Sequence, residues 1–165
     1  MTQLHERAED LRSEPTPTAQ DGVAAYLEWD HRRLDGILEA TMRSVRDGRW
    51  REARASYGLF EAGLRRHIDA EEQMLFPLFE LRTGLADHGP TFVMRHEHRE
   101  IIGFLAAIGG ALESETALAA QEGAAGLLDV LGPHNRKEEG ILYPMCDAAM
   151  TEPERAALVA RMQTT

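Results

Sequence analysis

The chain has 165 residues, of which 43% are hydrophobic and 28% are charged, a composition typical of one globular domain. Its formal net charge of −10 argues against a surface for nucleic acid or an anionic membrane, because both need clustered Lys and Arg. Cys146 is the single cysteine, so no intramolecular disulfide can form. Residues 1–20 lack the apolar core of a signal peptide, and no segment has the run of about 20 apolar residues that spans a bilayer. We therefore expect a cytoplasmic protein that is a monomer or a weak homodimer.

Residues 1–20 contain Pro15 and Pro17 and predict a flexible N-terminal arm, with a short helical piece over Glu6–Leu11. From residue 21 onward the pattern is helical, and no period-2 strand pattern appears. The predicted helices run from about Asp21 to Asp47, from Trp50 to Leu81, from Pro90 to Glu113, from Ala117 to Met150, and from Thr151 onward. Four long helices, followed by a short terminal one, predict an all-α, antiparallel up-down-up-down four-helix bundle over residues 21–165.

Particular residues mark the expected ends and irregularities of these helices. Asp21 is the predicted N-cap of the first helix. Pro133 predicts a kink just before His134. Pro77 and Pro144 lie near the C-terminal ends of long helices, where a kink or a stop is tolerated.

An internal repeat is the main functional signal, because a shift of 67 positions superimposes two sets of motifs. The first half contains Leu64-x-x-His67-x-x-x-Glu71-Glu72-x-x-Leu75-Phe76-Pro77, and the second contains Leu131-x-x-His134-x-x-x-Glu138-Glu139-x-x-Leu142-Tyr143-Pro144. Upstream, Asp30-His31-Arg32 recurs as Glu97-His98-Arg99. Since the chain has only seven histidines, this coincidence of spacing predicts two copies of one helical hairpin.

The two histidines of each half are separated by 36 positions. His31 precedes the turn near Gly48 by about 16 residues, and His67 follows it by about 19. At a rise of about 1.5 Å per residue, the outward and return runs nearly cancel. We therefore expect all four repeated histidines at one level in the centre of the bundle: His31, His67, His98 and His134.

Glu71 and Glu138 follow His67 and His134 by four residues, a spacing that places each pair on one helix face. Four imidazoles and two carboxylates form a ligand set for two metal ions, with histidines as terminal ligands and carboxylates as bridges. The mixture of nitrogen and oxygen ligands favours iron, although manganese and zinc also fit. Two unpaired carboxylates in a helical core would each cost roughly several kcal/mol, which two divalent cations would offset.

These motifs resemble the hemerythrin-like, HHE cation-binding domain family over roughly residues 23–148. The resemblance rests on Asp30-His31, Glu97-His98 and the two His-x-x-x-Glu-Glu motifs. It implies a four-helix bundle with a non-haem di-iron centre bridged by an oxo or hydroxo group and by carboxylates. Members of the family include oxygen carriers and sensors, and the di-iron proteins of iron–sulfur cluster repair that respond to nitric oxide.

Two features separate this chain from the oxygen-carrying members. Those proteins have a further histidine where this chain has Met94, and their last carboxylate is an Asp five residues after its His. The four-His, two-Glu set is similar to that of the repair proteins, which usually carry a cysteine-bearing N-terminal region that residues 1–20 lack. We expect a di-iron protein that binds or senses O₂, NO or peroxide. The alternatives are an enzyme that detoxifies peroxide or NO, and an iron donor in cluster repair.

Other histidines and one acid are secondary candidates. His96 is four residues before Glu100 and has ligand-like spacing, but the repeat favours His98 and predicts His96 at the surface. His5 and His88 are expected in solvent. Asp35 follows His31 by four residues and is an alternative metal ligand without a counterpart in the second half.

The remaining candidates have a structural interpretation beside a functional one. Glu72 and Glu139 point about 100° away from the ligand face, which predicts a supporting or surface role. Tyr143 is predicted to pack in the core, with its hydroxyl near the centre as the alternative. Cys146 is predicted to be a buried, inert thiol.

Overall fold

The computed structural model describes residues 15–86 and 88–164. Residues 1–14 of the predicted arm, including its helical piece, lie outside the described residues, and residues 15–20 form no helix. The helical elements are α1 (Gly22–Arg46), α2 (Trp50–Ala70), the π-helical turn π1 (Glu71–Leu75), α3 (Phe76–Thr83), α4 (Pro90–Glu113), α5 (Ala117–Lys137), the π-helical turn π2 (Glu138–Leu142), α6 (Tyr143–Ala149) and α7 (Glu152–Thr164). Residues 15–86 and 88–164 contain no strand, which confirms the all-α prediction.

The long helices contact one another in a closed ring. Helix α1 packs on α2 and α5, and α4 packs on α5 and α2, while the terminal helix α7 lies against α1. Gly63 allows the close approach of α1 to α2, because a Cβ atom there would lie 2.6 Å from Leu34 Cδ2. In the part of the chain that the structure describes, no helix is both long and apolar enough to cross a membrane.

The core consists of two apolar clusters with a polar layer between them. One cluster includes Leu34, Leu38, Leu64, Ile68, Ile101 and Leu131. The other includes Leu27, Leu75, Phe76, Met94, Leu142 and Tyr143. Along the chain, each of the four repeated histidines has a member of one cluster before it and a member of the other cluster after it. The apolar residues therefore bury a central layer of imidazoles from both sides.

Each of the second and fourth predicted helices is interrupted by a π-helical turn, which the sequence analysis did not predict. The backbone N–H of Phe76 donates to the carbonyl of Glu71, five residues earlier, and that of Tyr143 donates to the carbonyl of Glu138. A proline follows each of these donors. Proline has no N–H to donate, and its ring clashes with the carbonyl four residues earlier in an ordinary helix, so a wider turn is favoured there. Pro133, by contrast, lies within α5, which continues on both sides of it.

The N-terminus of α1 is capped by a residue from the other end of the chain. Asp21 occupies the N-cap position but makes no capping hydrogen bond there, and its carboxylate accepts instead from Thr18. The Asp147 carboxylate accepts from the N–H groups of Val23, at 3.1 Å, and Ala24, at 3.3 Å. The predicted N-cap position of Asp21 is confirmed, but the capping hydrogen bonds are made by Asp147, across 124 and 123 positions and without a local signature in the sequence.

Candidate metal centre

The six side chains singled out by the repeat converge in the central layer. Each is buried, with exposure of 4% or less: His31, His67, Glu71, His98, His134 and Glu138. Their potential ligand atoms form two groups, and within each group all atoms lie within 4.8 Å of one another. The first group is Glu71, His98, His134 and Glu138, and the second is His31, His67 and Glu138. Glu138 belongs to both groups, so the two candidate cation positions are adjacent.

The π-helical turns bring a further pair of side chains over the two glutamates. In an ordinary α-helix, residues five apart differ by about 140° around the axis, so Tyr143 would point away from Glu138. The extra residue of a π-helical turn gives residue i+5 the position that residue i+4 has in an ordinary helix, about 40° around the axis from residue i. Tyr143 therefore faces the centre above Glu138, and Phe76 occupies the equivalent place above Glu71. Both side chains are fully buried.

Every histidine of the centre is held at its outer nitrogen by a carboxylate. The Nδ1–Oδ or Nδ1–Oε distances are 2.8 Å for His31–Glu139, 3.0 Å for His67–Asp30, 2.8 Å for His98–Glu72 and 2.9 Å for His134–Glu97. An ionised carboxylate only accepts hydrogen bonds, so each Nδ1 donates and each Nε2 faces the centre. Such carboxylate–histidine pairs orient metal-binding imidazoles and raise their basicity.

The outer carboxylates obey the same 67-residue repeat as the histidines. Asp30 and Glu97 are equivalent positions, and so are Glu72 and Glu139. The sequence analysis assigned no role to Asp30 and Glu97, although both stand beside a histidine in the repeated motif. Their partners lie on another helix, 37 positions away in each case. Repetition of an acid at matched positions was the signal that could have identified them.

Neighbouring carboxylates raise the pKa of imidazoles in the metal-free centre. Burial by itself lowers the pKa of His31, but two neighbouring carboxylates outweigh it and raise that pKa to about 10. The pKa of His98 is likewise lowered by burial and raised by adjacent carboxylates, to about 9. Burial would raise the pKa of Glu138, yet the imidazoles of His134 and His31 hold it well below its ordinary value. A metal ion that binds here must therefore displace protons from the imidazoles.

The inner atoms of the cluster have the arrangement expected of ligands rather than of hydrogen-bonded pairs. Glu71 Oε2, His98 Nε2 and Glu138 Oε1 are buried and make no hydrogen bond within the described residues. Yet His98 Nε2 lies 3.2 Å from Glu71 Oε2, and His134 Nε2 lies 3.1 Å from Glu138 Oε1. Adjacent donors around an ion with bonds of about 2.1 Å lie about 3.0–3.4 Å apart. The residues present therefore fit a bound cation.

The secondary candidates lie outside this cluster. His96 is 64% exposed in its side chain and faces Glu100, and His88 is also exposed. His5 lies outside the described residues. Asp35 belongs to neither group of potential ligands. Cys146 is buried, and burial raises the pKa of its thiol, which disfavours the reactive thiolate form.

A groove of about 570 Å³ lies between α1 and α5. Asp35 and Asn135 line the end nearest the cluster, since Asp35 is one turn from His31 and Asn135 follows His134. The Oδ1 atom of Asn135 is buried there without a hydrogen-bond partner. Leu38 is among the side chains that make most of the lining apolar. None of the six converging side chains lines the groove.

Glu139→Gln is expected to weaken metal binding by about 10–100-fold without abolishing it. The amide oxygen can still accept from His31 Nδ1, but the negative charge that raises the basicity of the imidazole is lost. Competition with a chelator measures the dissociation constant. Glu72→Gln, at the equivalent position, should have a similar effect. Glu100→Gln is the matched control, because Glu100 faces only the exposed His96. If Glu139→Gln and Glu72→Gln both bind metal with unchanged affinity, these carboxylates have no influence on the metal.

The repeated motifs, from Asp30 to Pro144, lie within a region that matches one known family. The hemerythrin HHE cation binding domain, as a family, matches residues 23–146. The match includes both groups of potential ligands and all four outer carboxylates. Comparisons with curated proteins and with solved structures found no match. The match covers most of the chain, and the chain therefore belongs to the hemerythrin HHE cation-binding domain family.

Proposed function

We propose that this protein is a non-haem di-iron protein that binds or senses a small ligand such as O₂, NO or peroxide. His31 and His67 would be terminal ligands of one ion, and His98 and His134 of the other. Glu71 and Glu138 would bridge the two. The helices that carry these six side chains would form an antiparallel up-down-up-down bundle.

The observation that carries this proposal is the pair of adjacent, buried groups of imidazole and carboxylate atoms that share Glu138. Two carboxylates with no exposure need a compensating positive charge, which two cations supply. A mixed set of imidazole and carboxylate ligands suits iron better than it suits calcium, which is harder, or a metal ion that prefers thiolate ligands. Bound iron would supply the redox and ligand-binding chemistry, whereas the protein orients the imidazoles and limits the access of water.

The apolar surroundings support a small ligand rather than a large substrate. Leucines, Met94 and Phe76 enclose the cluster. The groove lined by Asp35 and Asn135 would offer an approach for a small ligand. A site closed in this way admits diatomic molecules and peroxide and excludes bulk water. Met94 occupies the place of the additional histidine of oxygen carriers and is 2% exposed, so it limits access without adding a ligand.

Iron loading and ligand addition test the proposal. Protein purified from iron-replete cells should contain two irons per chain, one for each group of ligands. Addition of O₂ or NO to the reduced protein should give a stoichiometric change in its visible spectrum. His98→Ala should lose this response, and His96→Ala, two residues away at the surface, should retain it. Protein that is loaded but gives no spectral change would contradict ligand binding. Steady consumption of peroxide or NO would instead identify an enzyme, and transfer of iron to an apo iron–sulfur protein would identify a donor.

A further inference from the structure

The two halves of the centre differ in the aromatic residue that each π-helical turn places over its glutamate. Phe76 stands in the first half and Tyr143 in the second, at equivalent positions of the 67-residue repeat. Both are fully buried. The ring of Phe76 stacks on His98, with centroids 5.9 Å apart and an interplanar angle of 7°. The centre is therefore symmetric in its histidines and glutamates but has a hydroxyl group on one side only.

The Tyr143 hydroxyl lies among four potential ligand atoms. It is 2.6 Å from Glu71 Oε1 and 3.0 Å from Glu138 Oε2. It is also 3.3 Å from the Nε2 atoms of both His31 and His67. A phenol has one proton and can donate it to one of the two carboxylates. The hydroxyl can donate to one carboxylate and its oxygen can accept from the two imidazoles, but the phenol has no second proton for the other carboxylate oxygen.

The same distances describe a coordination shell. His31 Nε2 is 3.4 Å from Glu138 Oε2, and His67 Nε2 is 3.7 Å from Glu71 Oε1. Together with the four distances to the hydroxyl, this makes six separations among five potential donor atoms. The six distances range from 2.6 to 3.7 Å, and the five atoms are the Tyr143 hydroxyl oxygen, His31 Nε2, His67 Nε2, Glu71 Oε1 and Glu138 Oε2. Donors that share one cation at about 2.1 Å are separated by about 3.0–3.4 Å. The Tyr143 hydroxyl is thus within ligand-to-ligand distance of His31 Nε2, His67 Nε2 and Glu138 Oε2, the side chains that form the second group of potential ligands.

We propose that Tyr143 is a fifth protein ligand of the ion held by His31 and His67. This proposal rests on the two-ion site proposed above. The tyrosine binds through its oxygen, and the phenolic proton is released to solvent as the metal–oxygen bond forms. The other ion has the same two carboxylates but faces Phe76, which offers no donor. The two ions are therefore chemically unequal, and the external ligand binds at the ion held by His98 and His134.

Spectroscopy of the iron-loaded protein tests this assignment directly. The full chain is loaded with ferrous iron and oxidised with ferricyanide. A tyrosine ligand gives a phenolate-to-iron(III) charge-transfer band, and excitation in this band enhances phenolate ring modes in the resonance Raman spectrum. Tyr143→Phe should lose the band and the ring modes completely while it retains two irons per chain. Tyr57→Phe is the matched control, because Tyr57 is also buried and hydrogen-bonded but belongs to the apolar cluster away from the centre.

Zinc provides a second readout that does not depend on iron colour or on any activity. Addition of zinc to the metal-free protein should produce the ultraviolet difference spectrum of a tyrosinate, and Tyr143→Phe should abolish it. If wild-type protein binds iron but shows no phenolate signal, the tyrosine assignment is wrong and the two-ion site is unaffected. Failure of wild-type protein to bind either metal would overturn the metal centre itself, and the tyrosine assignment with it. The wild-type spectrum decides the matter even if the Tyr143→Phe variant does not fold.

Discussion

Glu138→Gln is expected to leave the centre with little or no bound metal. Glu138 is the one residue common to both groups of potential ligands, and its oxygens lie 3.1 Å from His134 Nε2 and 3.4 Å from His31 Nε2. An amide replaces one ligand oxygen with an NH₂ group and removes a negative charge from a position with no solvent exposure. One ion therefore loses its ligand from this side chain, the other keeps only a neutral amide oxygen, and the remaining shell contains a single carboxylate.

Elemental analysis after gel filtration measures this loss, which should bring the metal content from two ions per chain to well below one. Glu71→Gln should reduce the content as well, because Glu71 is the other proposed bridge. Glu100→Gln controls for the loss of a glutamate in general, since its side chain is 52% exposed and belongs to neither ligand group. Two ions retained by both bridge variants would show that neither carboxylate bridges the metals.

The stabilisation of the protein by metal is expected to increase as the pH rises from about 6 to about 8. In the metal-free protein, the pKa of His31 is raised to about 10 and that of His98 to about 9. The unfolded value for histidine is about 6.5. The free energy that these protonated imidazoles contribute to folding is thus fully present below about pH 6.5, and it is lost as the pH rises through 9 and 10.

Bound metal reverses this dependence because it displaces the protons. For each proton released, the apparent dissociation constant falls about tenfold per pH unit, or about 1.4 kcal/mol. With free metal at about 1,000 times the dissociation constant, the loaded protein gains about 4 kcal/mol, which raises the melting temperature of a domain of this size by about 10 °C. The gain should be smaller near pH 6 than near pH 8.

Thermal unfolding with and without zinc, at both pH values, measures the effect. His96→Ala should behave as the wild-type protein does, since His96 is exposed and outside both ligand groups. His31→Ala should lose most of the metal-dependent stabilisation. A difference in melting temperature that is the same at both pH values would contradict the displacement of protons from the imidazoles.

The sequence by itself determined the helical class, the family and the identity of the six converging side chains. A spacing of four residues places His67 with Glu71, and His134 with Glu138, on one helix face through local backbone geometry alone. The equal 36-residue separations then match the heights of histidines on neighbouring helices. These inferences require no knowledge of tertiary contacts. Each depends only on the period of the helix and on the position of the turn in the duplicated hairpin.

The tertiary structure decided which partners surround those six side chains. The pairing of Asp30 with His67 and of Glu139 with His31 crosses 37 and 108 positions, and helical periodicity does not specify which acid meets which imidazole. The two π-helical turns change the local period, so Tyr143 faces the centre although regular helical spacing directs it elsewhere. The repeat marks the acids and the prolines, but the packing of the whole domain decides which acid meets which imidazole, and a proline alone does not specify whether the helix kinks, stops or widens.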